Sequence, residues 1–338
     1  HREDMSLIKE IGANGIRLAH YPHSDEFYTL CDREGMLVWA EIPLVGKALD
    51  TPEFTENMKT ELTELIRQNF NHPSIFCWSL CNELSKGDVK GLISELNDVS
   101  HREDPGRLTV LAANVEKRPE NSVPDIMAFN TYPGWYWAEP SEMKSTLERW
   151  NRQCGNKGIA VSEYGAGANV WHHWQTGKKT PKADGVFHPE EWQATVHEQT
   201  YDAIKRSGFA WGSFVWNMFD FASASRNEGD MPGMNDKGLV SYDRKIRKDA
   251  FYFYQSEWSE EPVVHIASRR DVARRDSLTD VKETVRLKVN GKDCGSPERN
   301  GSICIWRKVG LKHGENQVEA FGHRGGQEFS DRCKWVLF

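Results

Sequence analysis

The sequence predicts an α/β chain: a (β/α)8 TIM barrel followed by a small all-β antiparallel sandwich. Three observations carry that expectation. Short apolar runs without alternation, above all Ile75-Phe-Cys-Trp-Ser-Leu-Cys and Ile159-Ala-Val, read as parallel strands buried on both faces. Segments of helical period separate these runs, and strand–helix alternation implies a parallel sheet. Beyond Trp258 the period changes to two and runs into Asn290-Gly291, a strong short-range hairpin signal. The expected domains are 1–258 and 259–338.

Taken in order, Leu7, Ile8 and Ile11 mark a first helix closed by Gly12, and Gly15–Ala19 is a strand ending in His20-Tyr21-Pro22. Ser24 is placed to cap the next helix, with Phe27, Leu30 and Cys31 inward and a stop at Gly35. Leu37–Ala40 is a strand ending at Glu41-Ile42-Pro43. Phe54, Met58, Leu62, Leu65 and Ile66 share one face of a long helix that leads to the Ile75 strand. Helix 89–99, strand 108–112, strand 126–129, a helix carrying Met143, Leu147 and Trp150, and the Ile159 strand follow. After an aromatic loop (Trp171-His-His-Trp174) come helix 190–206, strand 209–219 and a closing helix from Asp249. Seven strands precede that helix, so the eighth, the first of the barrel, is expected before His1. In the tail, Val285/Leu287/Val289, Ile303/Ile305, Val318/Ala320 and Trp335/Leu337 repeat every second residue. The charged stretch 259–280 forms the junction.

Two of the buried runs end abruptly in carboxylates. The Ile75 run ends at Asn82-Glu83, and the Ile159 run at Ser162-Glu163-Tyr164. Active sites of parallel barrels lie at the C-terminal ends of the strands. Two glutamates delivered to one rim suggest the paired-carboxyl arrangement of a glycosidase, in which one acts as acid and then base and the other as nucleophile.

Composition narrows the partners. The formal net charge is −7 with both signs interspersed, which gives no basic groove for nucleic acid. No apolar stretch approaches the about 20 residues of a membrane helix. Thirteen Trp and an 11% aromatic share suit stacking on sugar rings. The seven cysteines show no paired Cys-x-x-Cys spacing, against a zinc module or disulfide framework. His172 and His173 have no carboxylate or third His at ligand spacing, so a loop-packing role is expected. The chain starts at His1 without Met and shows no targeting segment; a soluble compartment, periplasm or cytoplasm, is expected, and a homo-oligomer is left open.

Five segments, Arg17-Leu-Ala-His-Tyr-Pro, Asn71-His-Pro-Ser-Ile-Phe-Cys-Trp-Ser-Leu-Cys-Asn-Glu, Asn130-Thr-Tyr-Pro-Gly-Trp-Tyr, Ser162-Glu-Tyr-Gly and Phe214-Val-Trp-Asn-Met-Phe-Asp-Phe, together resemble glycoside hydrolase family 2, the β-galactosidase and β-glucuronidase family. They stand in the family's order over about 1–258, and the tail resembles the family's immunoglobulin-like domain. The resemblance implies a retaining exo-β-glycosidase with Glu83 as acid/base and Glu163 as nucleophile. It further implies that Asn82 holds the sugar's 2-hydroxyl, Tyr132 hydrogen-bonds the nucleophile, His20 touches the sugar near the reacting centre, and Trp216 forms the platform under it. Arg17 is expected to orient barrel carboxylates. Asn235 and Lys237 match an Asn-x-Lys that grips the sugar carboxylate in the family's glucuronidases. Their surroundings look more like the β-galactosidase branch, where Lys237 only pairs with Asp230 or Asp236. A β-galactosidase is therefore the first expectation, with a glucuronidase or galacturonidase, or an inactive carbohydrate-binding fragment, as alternatives. Magnesium-dependent members place extra Glu and His after the strand ending at Glu41; Ile42-Pro43-Leu44-Val45 follows here, so neither a metal nor a cofactor is expected.

Overall fold

The computed structural model describes the chain apart from residues 85, 157, 175–179, 276–277, 284–285 and 325. It forms two compact units, His1–Lys9 with Ala13–Tyr164 and Gln199–Trp216, and Glu10–Gly12 with Gly165–Glu198 and Asn217–Phe338.

The first unit holds a TIM-barrel-like parallel sheet of seven strands in chain order: β1 (Gly15–Leu18), β2 (Leu37–Glu41), β3 (Ile75–Asn82), β4 (Leu108–Ala113), β5 (Ile126–Asn130), β6 (Ile159–Tyr164) and β7 (Ala210–Val215). Helices α1 (Arg2–Glu10), α2 (Asp25–Glu34), α3 (Pro52–Asn69), α4 (Lys90–Glu103) and α5 (Met143–Gln153) occupy the intervening chain, and α6 (Glu190–Ser207) belongs to this unit from Gln199 onward and to the second unit before it. Alternate residues of the strands, Trp39, Cys77, Val110, Ala112, Ala128 and Ala160, form one buried apolar layer with Trp211 and Phe214 against it. Further toward the C-terminal ends the same faces carry Arg17, Glu41, Asn130 and Ser162. Local chemistry explains the helix limits. Thr51 accepts the Phe54 N–H at 3.2 Å ahead of Pro52, and Gly35 closes α2 with φ of 69°.

Two expectations in this unit need correction. Ser24 precedes α2 in extended conformation but makes no side-chain cap; its hydroxyl meets the His1 ring at 2.8 Å instead. The last strand ends at Val215 rather than Phe219. Trp216 still donates to Tyr164 O at 2.9 Å, but at Asn217 the side-chain oxygen accepts the next amide, Met218 N–H, at 2.6 Å. Such a local bond turns the chain out of the ladder despite the apolar residues that follow.

The second unit contains β8 (Phe221–Ala222), β9 (Met234–Asn235), α7 (Asp249–Trp258) and a β-rich tail. In the tail, β10 (Ala273–Arg274), β12 (Arg286–Val289), β13 (Lys292–Asp293), β16 (Gly314–Arg324) and β17 (Gln327–Leu337) make a five-stranded sheet, and β11 (Leu278–Glu283), β14 (Glu298–Asn300) and β15 (Ile303–Gly310) make a three-stranded one. Asn290 and Gly291 form the two-residue β12–β13 hairpin with φ of 50° and 77°, as the Asn-Gly signal requires. Leu287, Val289, Val318, Ala320, Trp335 and Leu337 enter the tail core; Val285 lies outside the described residues. On β15 the core side is Cys304 and Trp306, not Ile303 and Ile305. Strand faces alternate by one residue, so the indole, which donates to Gly295 O at 2.7 Å, sets the register.

Also in this unit, fully buried His197 on α6 bonds through Nδ1 to the Tyr254 hydroxyl of α7 at 2.9 Å. Burial, reinforced by the Lys248 charge, pushes its pKa down to about 3. The folded state therefore keeps His197 neutral, while the unfolded chain takes up a proton near pH 6.5. Its contribution is present above pH 6.5 and lost as pH falls toward 3. His197→Gln should flatten the pH dependence of urea-unfolding free energy across that window, removing a few kcal/mol of acid sensitivity. An unchanged slope would show that this histidine is not the group responsible.

Candidate active site

The site is built at the C-terminal ends of β1, β2, β3, β5 and β6. Irregular pairing aims its side chains. The β3–β4 register shifts between Ser79 and Asn82, and the β5–β6 register shifts between Phe129 and Asn130, which brings Asn130 opposite Glu163. Glu83, the first residue beyond β3, has φ of 54°, a left-handed conformation rare for a residue with a Cβ. Its N–H donates to Ala112 O at 2.8 Å, anchoring this turn to β4.

Asn130 joins the two carboxylate-bearing strand ends. Its Nδ2 donates to Glu83 Oε1 at 2.8 Å and to Asn82 Oδ1 at 3.0 Å, while its Oδ1 accepts the Ser162 hydroxyl at 2.7 Å. Glu163 meets much stronger donors: Arg17 Nη1 at 2.6 Å on Oε1 and the Tyr132 hydroxyl at 2.6 Å on Oε2. Arg17 also spans Glu41, donating through Nε at 3.0 Å and Nη2 at 2.9 Å, and reaches Asn82 Oδ1 at 2.8 Å. Its guanidinium lies 5.2 Å above the Trp39 ring.

The electrostatics separate the two candidate catalytic glutamates. Burial raises the Glu83 pKa; the Asn130 hydrogen bond opposes this and the Glu163 charge adds to it. Burial also raises the Tyr132 hydroxyl well above its ordinary value, and the neighbouring Glu163 charge adds to that, so Tyr132 remains a donor. Burial alone would raise Glu41, but Arg17 and His20 outweigh it and hold this carboxyl down at about 2. Desolvation works against the Arg17 charge, yet Glu41 and Glu163 together raise its pKa further.

Glu83, Glu163, Asn82, Tyr132, His20 and Trp216 all lie in the first unit. The His20 ring packs on Trp216 with centroids 4.9 Å apart, and its Nε2 is 4.0 Å from Glu163 Oε1. Asn235 and Lys237 lie in the second unit, both buried, where Asn235 Oδ1 accepts the Lys237 N–H at 3.1 Å. Asp236 between them shares a hydrogen bond with the buried His188 ring at 2.6 Å. His173 pairs with Glu191 at 2.9 Å. Among the described residues no group of three or more His, Cys, Asp or Glu is arranged to hold a metal ion, and no helix is long and apolar enough to cross a membrane.

Sequence reasoning passed over Asn130 and Glu41. Glu41 carried the same signal as Glu83 and Glu163, an apolar run ending in a carboxylate. Asn130 likewise ends the Ile126 strand.

A parallel barrel-like sheet whose rim carries two glutamates in contrasting environments defines the class of barrel glycosidase sites. The chain matches the family model for glycosyl hydrolases family 2, TIM barrel domain, over residues 1–260. A β-glucuronidase of Bacteroides fragilis is 44% identical over 335 residues, 94% of this chain and 48% of that protein. The solved structure of a putative β-galactosidase from Bacteroides fragilis superposes with TM-score 0.94 at 34% identity, covering 100% of this chain and 51% of the other. An FMN-binding β-glucuronidase from Facaelibacterium prausnitzii L2-6 gives TM-score 0.91 at 35% identity, with 99% and 52% covered. The chain belongs to glycoside hydrolase family 2, and it spans about half the length of the curated relatives it matches.

Proposed function

We propose that this chain carries the catalytic centre of a retaining exo-β-glycosidase that removes terminal β-linked glucuronate. The observation that carries the mechanism is the asymmetry of the two glutamates. Glu163, fixed by a guanidinium and a phenol hydroxyl, is the nucleophile that forms the glycosyl ester. Glu83, held by a neutral amide and raised in pKa by burial, protonates the leaving oxygen and then activates water. Arg17 and Asn130 both bond the Asn82 side chain at Oδ1, so its amide N–H side serves the sugar's 2-hydroxyl. His20 and Trp216 form the wall of the sugar subsite. The functional folding units in this reading are a barrel, 1–258, and an immunoglobulin-like sandwich, 259–338.

For the glycone, the β-glucuronidases among the relatives favour the uronate alternative over the galactoside expectation. Asn235 and Lys237 are the residues proposed to receive the carboxylate, an ammonium beside an amide donor. Aryl β-glucuronide and aryl β-galactoside compared side by side decide the matter. The glucuronide should have the higher kcat/KM, and Lys237→Ala should lower that value on the order of 100-fold while leaving slow galactoside turnover nearly unchanged, the magnitude expected when a bound substrate carboxylate loses its charged partner. Faster galactoside hydrolysis, insensitive to Lys237→Ala, would reinstate the galactosidase reading favoured by the putative β-galactosidase neighbour.

A further inference from the structure

Double displacement gives Glu41 no chemical step, yet its carboxylate is completely buried and accepts five hydrogen bonds. Oε1 takes the His20 backbone N–H at 2.8 Å, His20 Nδ1 at 3.2 Å and Arg17 Nη2 at 2.9 Å. Oε2 takes Arg17 Nε and Trp39 Nε1, both at 3.0 Å. His20 has φ of 74°, in the left-handed region that residues with a Cβ avoid. In that conformation its own N–H points at Glu41 Oε1. An ionised carboxylate only accepts, so the bond to Nδ1 requires the hydrogen on Nδ1. Nε2 is then the ring atom turned to Glu163, 4.0 Å from its Oε1, while Trp216 packs against the ring.

We propose that Glu41 is a positioning residue for glycoside hydrolysis: by binding both the backbone amide and Nδ1–H of His20, it clamps this residue in a left-handed turn with Nε2 directed at the nucleophile and the sugar. The inference rests on Glu163 being the nucleophile and is independent of which glycone is cleaved. Glutamine cannot replace this carboxylate. With its NH2 in the Oε1 position it faces three donors, and in the Oε2 position it faces two.

The test measures kcat per active site, with sites counted by a 2-deoxy-2-fluoro glycosyl inactivator of whichever glycone is turned over faster, so that misfolded molecules drop out. Glu41→Gln should lower kcat per site on the order of 100-fold, the scale of a misplaced catalytic group. In a His20→Gly background the same substitution should cost less than about 3-fold, because glycine adopts the left-handed turn unaided and has no ring to orient. Equal losses in both backgrounds would overturn the proposal and leave Glu41 acting only through Arg17 or packing. Should Glu41→Gln not fold, nitrogen NMR of histidine-labelled wild-type protein, with His20 identified by its loss in His20→Gly, reads the tautomer directly. Hydrogen on Nδ1 is expected; Nδ1 without a hydrogen overturns the proposal. If the inactivator labels no site at Glu163, the nucleophile assignment falls, and this inference with it.

Discussion

Glu163→Gln is expected to lower kcat on an aryl β-glycoside on the order of 10,000-fold or more, with the protein still folded. The neutral amide cannot attack the anomeric carbon, and it faces Arg17 Nη1 and the Tyr132 hydroxyl, two donors suited to a carboxylate. Glu163→Ala removes the nucleophile and leaves space at the same rim. Azide should restore part of the turnover of that variant from the opposite face, giving a glycosyl azide of inverted configuration, while the parent releases sugar of retained configuration. Turnover of the Glu163→Gln variant within 10-fold of the parent would remove Glu163 from the chemistry.

Glu83→Ala carries the second large effect, and it depends on the leaving group. Substrates with a poor, alkoxide-like leaving group need protonation and should lose about 100- to 10,000-fold. Dinitrophenyl glycosides need little help in the first step, so their loss should fall mainly on hydrolysis of the intermediate, where azide can stand in for the activated water and give a product of retained configuration. The pH profile fixes the sign. Because the reactive form of Glu83 is protonated and burial raises its pKa, kcat/KM should fall as pH rises through a value above the ordinary glutamate range. Glu83→Gln should abolish that basic limb. A limb that persists belongs to another group.

The scaffold was readable in the sequence because its signals are local. Apolar runs ending in Asn82-Glu83 and Ser162-Glu163 are β3 and β6, and Asn290-Gly291 is the β12–β13 turn. The misses came where a distant partner decides. Ser24 is a good cap by residue type, but its hydroxyl meets the His1 ring. The aromatic run past Val215 reads as strand, yet one side-chain-to-backbone bond at Asn217 ends it. At the site, three apolar runs lead into a glutamate, and that local pattern alone ranks none of them. The ranking comes from where Arg17, from another strand, places its five donors, and from register shifts at Ser79/Asn82 and Phe129/Asn130 that no periodicity reveals. The left-handed backbones of His20 and Glu83 were equally hidden, since neither is a residue type that announces a positive φ.

The negative charge of Glu163 is among the influences that raise the pKa of Glu83. In the proposed pathway that charge disappears when Glu163 becomes an ester, the moment after which Glu83 must turn from giving a proton to taking one. Esterification also leaves Arg17 and Glu41 as a self-neutralising couple, with no surplus anion beside the waiting carboxylate. Acid and base duty thus alternate on one residue through its neighbour's covalent state, a timing mechanism that requires no movement of the backbone.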